Sequence, residues 1–206
     1  MKRAYSVDNV LNAKFHTLPF EGKWKEALGC PELSGSWFIY GDIKTGKTSF
    51  TMQLTKYITE FERVTYYSFE EGLSQSIQEV YRRENMKEAS GKFILLNKEP
   101  IEDIIIRLKK PKSTNVIVID TVQYASLKIE DYKQLIEMFP KKLFIYVSHV
   151  DGRRPEGRVA RKIHQYSNLA IRVEGFKAFP VGRYGGGTPI VVNETLANTY
   201  WGLQTA

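Results

Sequence analysis

The sequence predicts an α/β chain built on a mostly parallel central sheet flanked by helices. Three observations carry that expectation. Continuous apolar runs recur at residues 37–40, 116–119 and 143–147, as expected of strands buried on both faces. Stretches with helical spacing, roughly 10 to 15 residues long, alternate with them. A glycine-bounded loop separates the first run from the helix that follows it. With 206 residues, 42% of them hydrophobic, the chain has material for one substantial core. We read residues 1–34 as an arm packed on that core and residues 35–206 as the single main domain.

Taken in order, Val7, Val10, Leu11 and Phe15 suggest a short helix, and Trp24, Ala27 and Leu28 another that ends at Gly29 and Pro31. After the first buried strand and the loop, Phe50, Leu54, Tyr57, Ile58 and Phe61 keep helical spacing. Residues 63–69 are β-branched and aromatic, which marks a second strand, and Glu70, Glu71 and Gly72 close it. Leu73, Ile77, Val80 and Tyr81 then repeat at helical spacing, and residues 93–96 make a short third strand. Pro100 opens a helix with Ile101, Ile104, Ile105 and Leu108 on one face, and Pro111 stops it. A fully apolar strand closed by Asp120 comes next, then a helix on Ile129, Tyr132, Leu135, Ile136 and Phe139, then the strand that ends at Ser148. Residues 151–162 are polar and basic and read as a mobile loop. Residues 168–174 and 189–193 are strand-like, and the second is expected to form a C-terminal β-hairpin with residues 199–202. Between them, residues 182–188 are too glycine-rich for a regular element.

Gly41, Asp42, Ile43, Lys44, Thr45, Gly46, Lys47 and Thr48 fit the phosphate-binding pattern G-x-x-x-x-G-K-[ST], with Ser49 just behind. Such a loop points successive N–H groups at a phosphate, Lys47 reaches its outer oxygens, and the helix start adds its dipole. Thr48 offers a hydroxyl to Mg²⁺, and Asp120, at the carboxyl end of a central strand, offers a carboxylate to the same ion. Glu70 is the candidate to orient an attacking water, with its neighbour Glu71 as competitor. His149, after another buried strand, can donate to a phosphate oxygen.

One cysteine, Cys30, rules out an intrachain disulfide and fits a reducing cytoplasmic setting. No apolar run is long enough to cross a bilayer, and residues 1–6 lack the apolar core of a secretion signal. The formal charge of +7 admits a polyanionic partner without requiring one.

The phosphate loop, the strand ending Tyr67-Ser-Phe-Glu-Glu71, the strand ending at Asp120-Thr, Val147-Ser-His149 and a late Arg183-Tyr-Gly185 follow the order of a RecA-like ATPase core. Across about residues 28–188 the chain resembles the RecA/RadA and DnaB-type helicase group. That resemblance implies ATP and Mg²⁺ as cofactors, a hexameric ring or filament of identical subunits with ATP at their interfaces, and single-stranded DNA in replication or recombination. It assigns Glu70 as the catalytic glutamate, Asp120 as the Walker B acid and His149 as the γ-phosphate sensor. Arg183 is similar to the arginine finger of a Lys-x-Arg-x-Gly pattern, although Val181 stands where that pattern has lysine. Arg153, Arg154, Arg158, Arg161 and Lys162 match the second DNA-binding loop in position. The added domains of the larger relatives are not recognisable, which suggests a minimal core of a phage or mobile-element kind. Two readings stand beside this one: a nucleotide-gated loader or scaffold with little turnover, and a small-molecule P-loop kinase.

Overall fold

A computed structural model describes residues 4–202. Residues 1–3 and 203–206, the outer ends of the arm and of the main domain, lie outside the described residues. The chain opens with α1 (Val7–Leu11), capped by the Ser6 hydroxyl, which accepts from the Asn9 N–H, and continues to α2 (Gly22–Leu28). Then come β1 (Gly35–Tyr40), α3 (Lys47–Ile58), β2 (Val64–Ser68), α4 (Gln75–Arg83), β3 (Phe93–Leu96), α5 (Ile101–Lys109) and β4 (Val116–Asp120). The second half holds α6 (Ile129–Met138), β5 (Leu143–Ser148), β6 (Val150–Asp151), β7 (Arg154–Pro155), α7 (Gly157–Tyr166), β8 (Leu169–Glu174), β9 (Lys177–Gly182), β10 (Ile190–Val191) and α8 (Glu194–Trp201).

Eight strands form one sheet in the order β10-β9-β8-β1-β5-β4-β2-β3. From β8 through β3 every pairing is parallel, while β9 and β10 are added antiparallel at one edge. The expected mostly parallel α/β architecture is thus present. Alternate residues of the central strands feed two cores. On one face Trp37, Ile39, Tyr66, Val118 and Ile145 pack with Trp24, Phe50, Leu54 and Ile77 from α2, α3 and α4. On the other, Phe38, Ile117, Ile119 and Tyr146 pack with Ile104, Leu135 and Ile163 from α5, α6 and α7. Burial on both faces explains why these strands read as unbroken apolar runs. Each such side chain contributes about 1.5–3 kcal/mol.

The arm divides into two parts. Leu18, Phe20, Trp24, Ala27 and Leu28 join the first core, where the Trp24 ring stacks on Tyr57 at 5.4 Å. Tyr5, Val7, Val10, Leu11 and Phe15 are exposed.

Three expectations need correction. Residues 151–162 are not a mobile loop: β6 and β7 form a tight antiparallel hairpin, and α7 follows directly. Only Ala160 and Ile163 of α7 are buried, so its apolar spacing is faint against the arginines and lysine around it. Residues 199–202 do not pair with residues 189–193. The side chain of Asn193 accepts from the Leu196 N–H and starts α8, which Gly202 ends in the left-handed region, so local capping overrides the β preference of Thr199, Tyr200 and Trp201. The C-terminal hairpin is instead β8 with β9, and β10 lies along β9. Leu73, finally, precedes α4 and stands in solvent. Among the described residues no helix is long and apolar enough to cross a membrane.

Candidate nucleotide site

The site sits at the carboxyl end of the parallel strands. β1 ends at Tyr40, and the chain turns so close to β8 that a Cβ on Gly41 would lie 2.1 Å from the Val173 carbonyl oxygen. No side chain fits there. The loop is pinned from within and without: the Thr45 hydroxyl donates to the Asp42 carbonyl at 2.8 Å, and the Phe176 N–H donates to the Thr45 carbonyl at 3.1 Å. Gly46, with φ of 98°, starts α3 without a side-chain cap, which leaves the first N–H groups of the helix free for an anion. Lys47 is a buried residue, 7% exposed, and its ammonium donates to the Asp42 carbonyl at 2.5 Å and so lies inside the loop. Burial pulls it below the ordinary lysine value, while Asp120, Glu70 and Asp42 pull the other way.

Strand order brings the acids to this loop. β4 lies between β2 and β5, with Asp120 opposite Ser68 on one side and Val147 on the other. Asp120 is buried, and the Tyr66 hydroxyl donates to its Oδ2. Burial pushes its carboxyl up to about 7; Glu70 and Glu71 add to the rise, and the Tyr66 hydrogen bond and Lys47 oppose it. The Phe69 N–H donates to the Asp120 carbonyl at 2.6 Å and folds the end of β2 across that of β4. This carries Glu70 to His149, whose Nε2 lies 3.0 Å from Oε2 of Glu70. The Tyr124 ring meets the imidazole edge-on at 6.2 Å. Glu71 turns the other way, accepting from the Ser76 hydroxyl at the start of α4 and lining a cleft beside the phosphate loop.

Thr48 and Asp120 form an all-oxygen donor pair, suited to a hard cation such as Mg²⁺. Among the described residues no three His, Cys, Asp or Glu side chains converge, so such an ion would draw its other ligands from phosphate and water.

The cleft that Glu71 lines has a volume of about 290 Å³, and several of its side chains were not assigned to a site from the sequence. Val80 and Arg83 reach it from α4, and Phe176, Asn193 and Leu196 from the β8–β9 turn and the start of α8. Arg83 Nη2 donates to the Ser49 hydroxyl at 2.7 Å, tying α4 to the loop. Lys44, Lys47 and Thr48 of the phosphate loop line the same cleft, which is mostly polar, with Val80, Phe176 and Leu196 as its apolar part. Asn193 was read as part of a hairpin turn rather than as the helix cap it is, and Arg83 and Phe176 carried no local signal.

The five basic candidates divide. Arg153 sits at the hairpin tip and shares a second cleft with Gly41, Asp42, Ile43, Lys44 and Thr45. Arg154 follows on β7, and Arg158, Arg161 and Lys162 are exposed along α7. Arg183 is not with the other site residues. Gly182 pairs with Leu169 and Leu169 with Trp37, which puts Arg183 at the opposite end of the sheet from the phosphate loop.

No protein-family model and no curated protein sequence matches the chain. Solved structures do. It superposes on the flagellar accessory protein FlaH from Methanocaldococcus jannaschii with a TM-score of 0.58 at 15% identity, over 85% of this chain and 94% of that one. The RadB recombinase matches with a TM-score of 0.55 at 18% identity, covering 81% and 90%. A KaiC-like protein from the hyperthermophilic archaeon Pyrococcus horikoshii gives 0.54 at 16%, covering 82% and 88%. At these identities the likeness is one of fold alone, and the fold is the RecA-like α/β one.

Proposed function

We propose that the protein is a Mg-ATP-dependent ATPase that couples ATP binding and hydrolysis to single-stranded DNA, in replication or recombination. One observation carries the proposal. Glu70, Asp120 and His149 come from the ends of β2, β4 and β5 and gather beside Lys47, the first residue of α3, which is the set that phosphoryl transfer to water requires. The loop N–H groups and Lys47 hold the phosphates. Thr48 and Asp120 would hold Mg²⁺, which would supply positive charge against the outer phosphate oxygens. Tyr66 keeps one carboxylate oxygen of Asp120 occupied and so orients the other. Glu70 aligns the attacking water and takes its proton. His149 pairs with Glu70, so a phosphate that attracts the imidazole releases the carboxylate for this task.

Arg153, Arg154, Arg158, Arg161 and Lys162 are the cations we assign to the DNA backbone, which makes binding salt-sensitive and indifferent to sequence. Arg183, remote from its own loop, serves a nucleotide held by a neighbouring copy, so we also propose a homo-oligomer, a ring or filament.

ATPase rates with and without single-stranded DNA test this reading. Stimulation by DNA of at least ~10-fold, abolished in Glu70→Gln while nucleotide binding persists, is the expected outcome; a general base of this kind contributes about 10²–10⁴-fold. The Glu70–His149 pair also favours a second reading, a nucleotide-gated loader or scaffold, because a carboxylate held by histidine turns over slowly. Tight ATP binding with no turnover in the presence of DNA selects that alternative. Phosphate transfer to a metabolite instead selects a kinase.

A further inference from the structure

Gln123, in the turn between β4 and α6, has no part in the chemistry above, yet its carboxamide joins three segments at once. Its Nε2 donates to the Ser148 hydroxyl at 2.9 Å and to the Glu156 carbonyl at 3.0 Å. Its Oε1 accepts from the His149 N–H at 3.4 Å. The amide has one way to sit. The Ser148 hydroxyl spends its proton on the His149 carbonyl at 2.8 Å and so presents a lone pair, the Glu156 carbonyl can only accept, and the His149 N–H can only donate.

The two backbone partners define a place. The Glu156 N–H donates to the His149 carbonyl at 3.0 Å, and this bond closes the base of the β6–β7 hairpin that carries Arg153 and Arg154. Gln123 therefore bonds both residues at that base. The turn holding Gln123 is itself fixed to the sheet, since the Val122 N–H donates to the Val147 carbonyl at 2.9 Å. A displacement of His149 cannot leave Gln123 and Glu156 where they are without breaking hydrogen bonds in a half-buried network.

We propose that Gln123 is a positioning residue that transmits the state of His149 to the basic hairpin and to the start of α7. The proposal rests on the ATPase reading for the event at His149. Its content is mechanical: the imidazole exchanges Glu70 for a phosphate oxygen, the His149 backbone moves, and the Gln123 carboxamide carries Glu156 and the hairpin with it. Tyr124, next in sequence and edge-on to the same imidazole, gives the turn a second grip on the ring.

Limited trypsin cleavage after Arg153, the bond at the hairpin tip that no proline follows, mapped by mass spectrometry with and without ATPγS and Mg²⁺, tests it. A fluorescent ATP analogue measures nucleotide binding separately. In the unmodified protein, ATPγS should change the cleavage rate at the hairpin at least ~5-fold. In Gln123→Glu, which keeps the shape but turns an oxygen toward the Glu156 carbonyl, the analogue should bind within ~2-fold and the cleavage rate should no longer respond to ATPγS. Gln123→Ala should behave alike and stands in if the glutamate variant fails to fold. A merely structural glutamine would raise cleavage equally in both conditions and keep the response, which overturns the proposal. So does an unmodified hairpin that ignores ATPγS while the analogue binds. Failure of the unmodified protein to bind the analogue at all overturns the ATPase reading and the proposal with it.

Discussion

At the scale of single residues, Asp120 has the most consequential environment. Its carboxyl titrates near 7, so between an unfolded value of 3.8 and that point the folded chain binds a proton that the unfolded chain has lost. The stability this proton provides is complete below pH 3.8 and disappears as the pH rises through 7. Asp120→Asn, which cannot ionise, should therefore stabilise the nucleotide-free protein more at pH 8 than at pH 5, by on the order of 2–3 kcal/mol. Thermal melts of both proteins at the two pH values check this; an equal effect at both would mean that burial does not set the titration. The same residue shows how far reading a sequence can go. Its role as an acid at the end of an apolar strand was legible, because strand and acid are neighbours in the chain. Its hydroxyl partner Tyr66 was not, nor was the contact of Glu70 with His149, because each depends on which strands lie side by side. Residues 54 or 79 positions apart leave no local trace of such a meeting.

At the scale of elements, the central strands and the helices α1 to α6 were readable, and the β6–β7 hairpin, α7 and α8 were not. α7 buries two side chains and α8 one, so neither has an apolar stripe strong enough to outweigh its other residues. α8 is determined at its ends. Asn193 caps it, and Trp201 Nε1 donates to the Gly175 carbonyl at 3.0 Å, fastening its last turn to the β8–β9 turn. The same Asn193 and Leu196 line the cleft beside the phosphate loop, the slot we propose for the nucleoside. Asn193→Ala should cost about 1 kcal/mol in denaturant unfolding, the usual worth of such a cap, and should weaken ATP binding several-fold while leaving inorganic triphosphate binding unchanged. Equal loss for both ligands would place the effect on the phosphate loop and count against the slot.

At the scale of the whole molecule, the sheet separates two functions. The phosphate loop is at one end, Arg183 is at the other, and strands of six residues put about 20 Å between them. Arg183 cannot meet the nucleotide of its own chain. Turnover per subunit should then rise with protein concentration, and Arg183→Ala should remove at least ~10 fold of that rise while leaving the rate of dilute protein unchanged. A concentration-independent rate in both proteins would assign Arg183 to another task. The sheet order also bears on how the chain comes into being. β1, the strand that ends in the phosphate loop, pairs with β5 and β8 and with no strand between them in sequence. During synthesis it therefore waits, apolar and unpaired, until residues 143–148 have left the ribosome, about a hundred residues after its own appearance. Pairing at such separation is slow, and through that interval the molecule has its nucleotide motif but no site, open to capture by a chaperone.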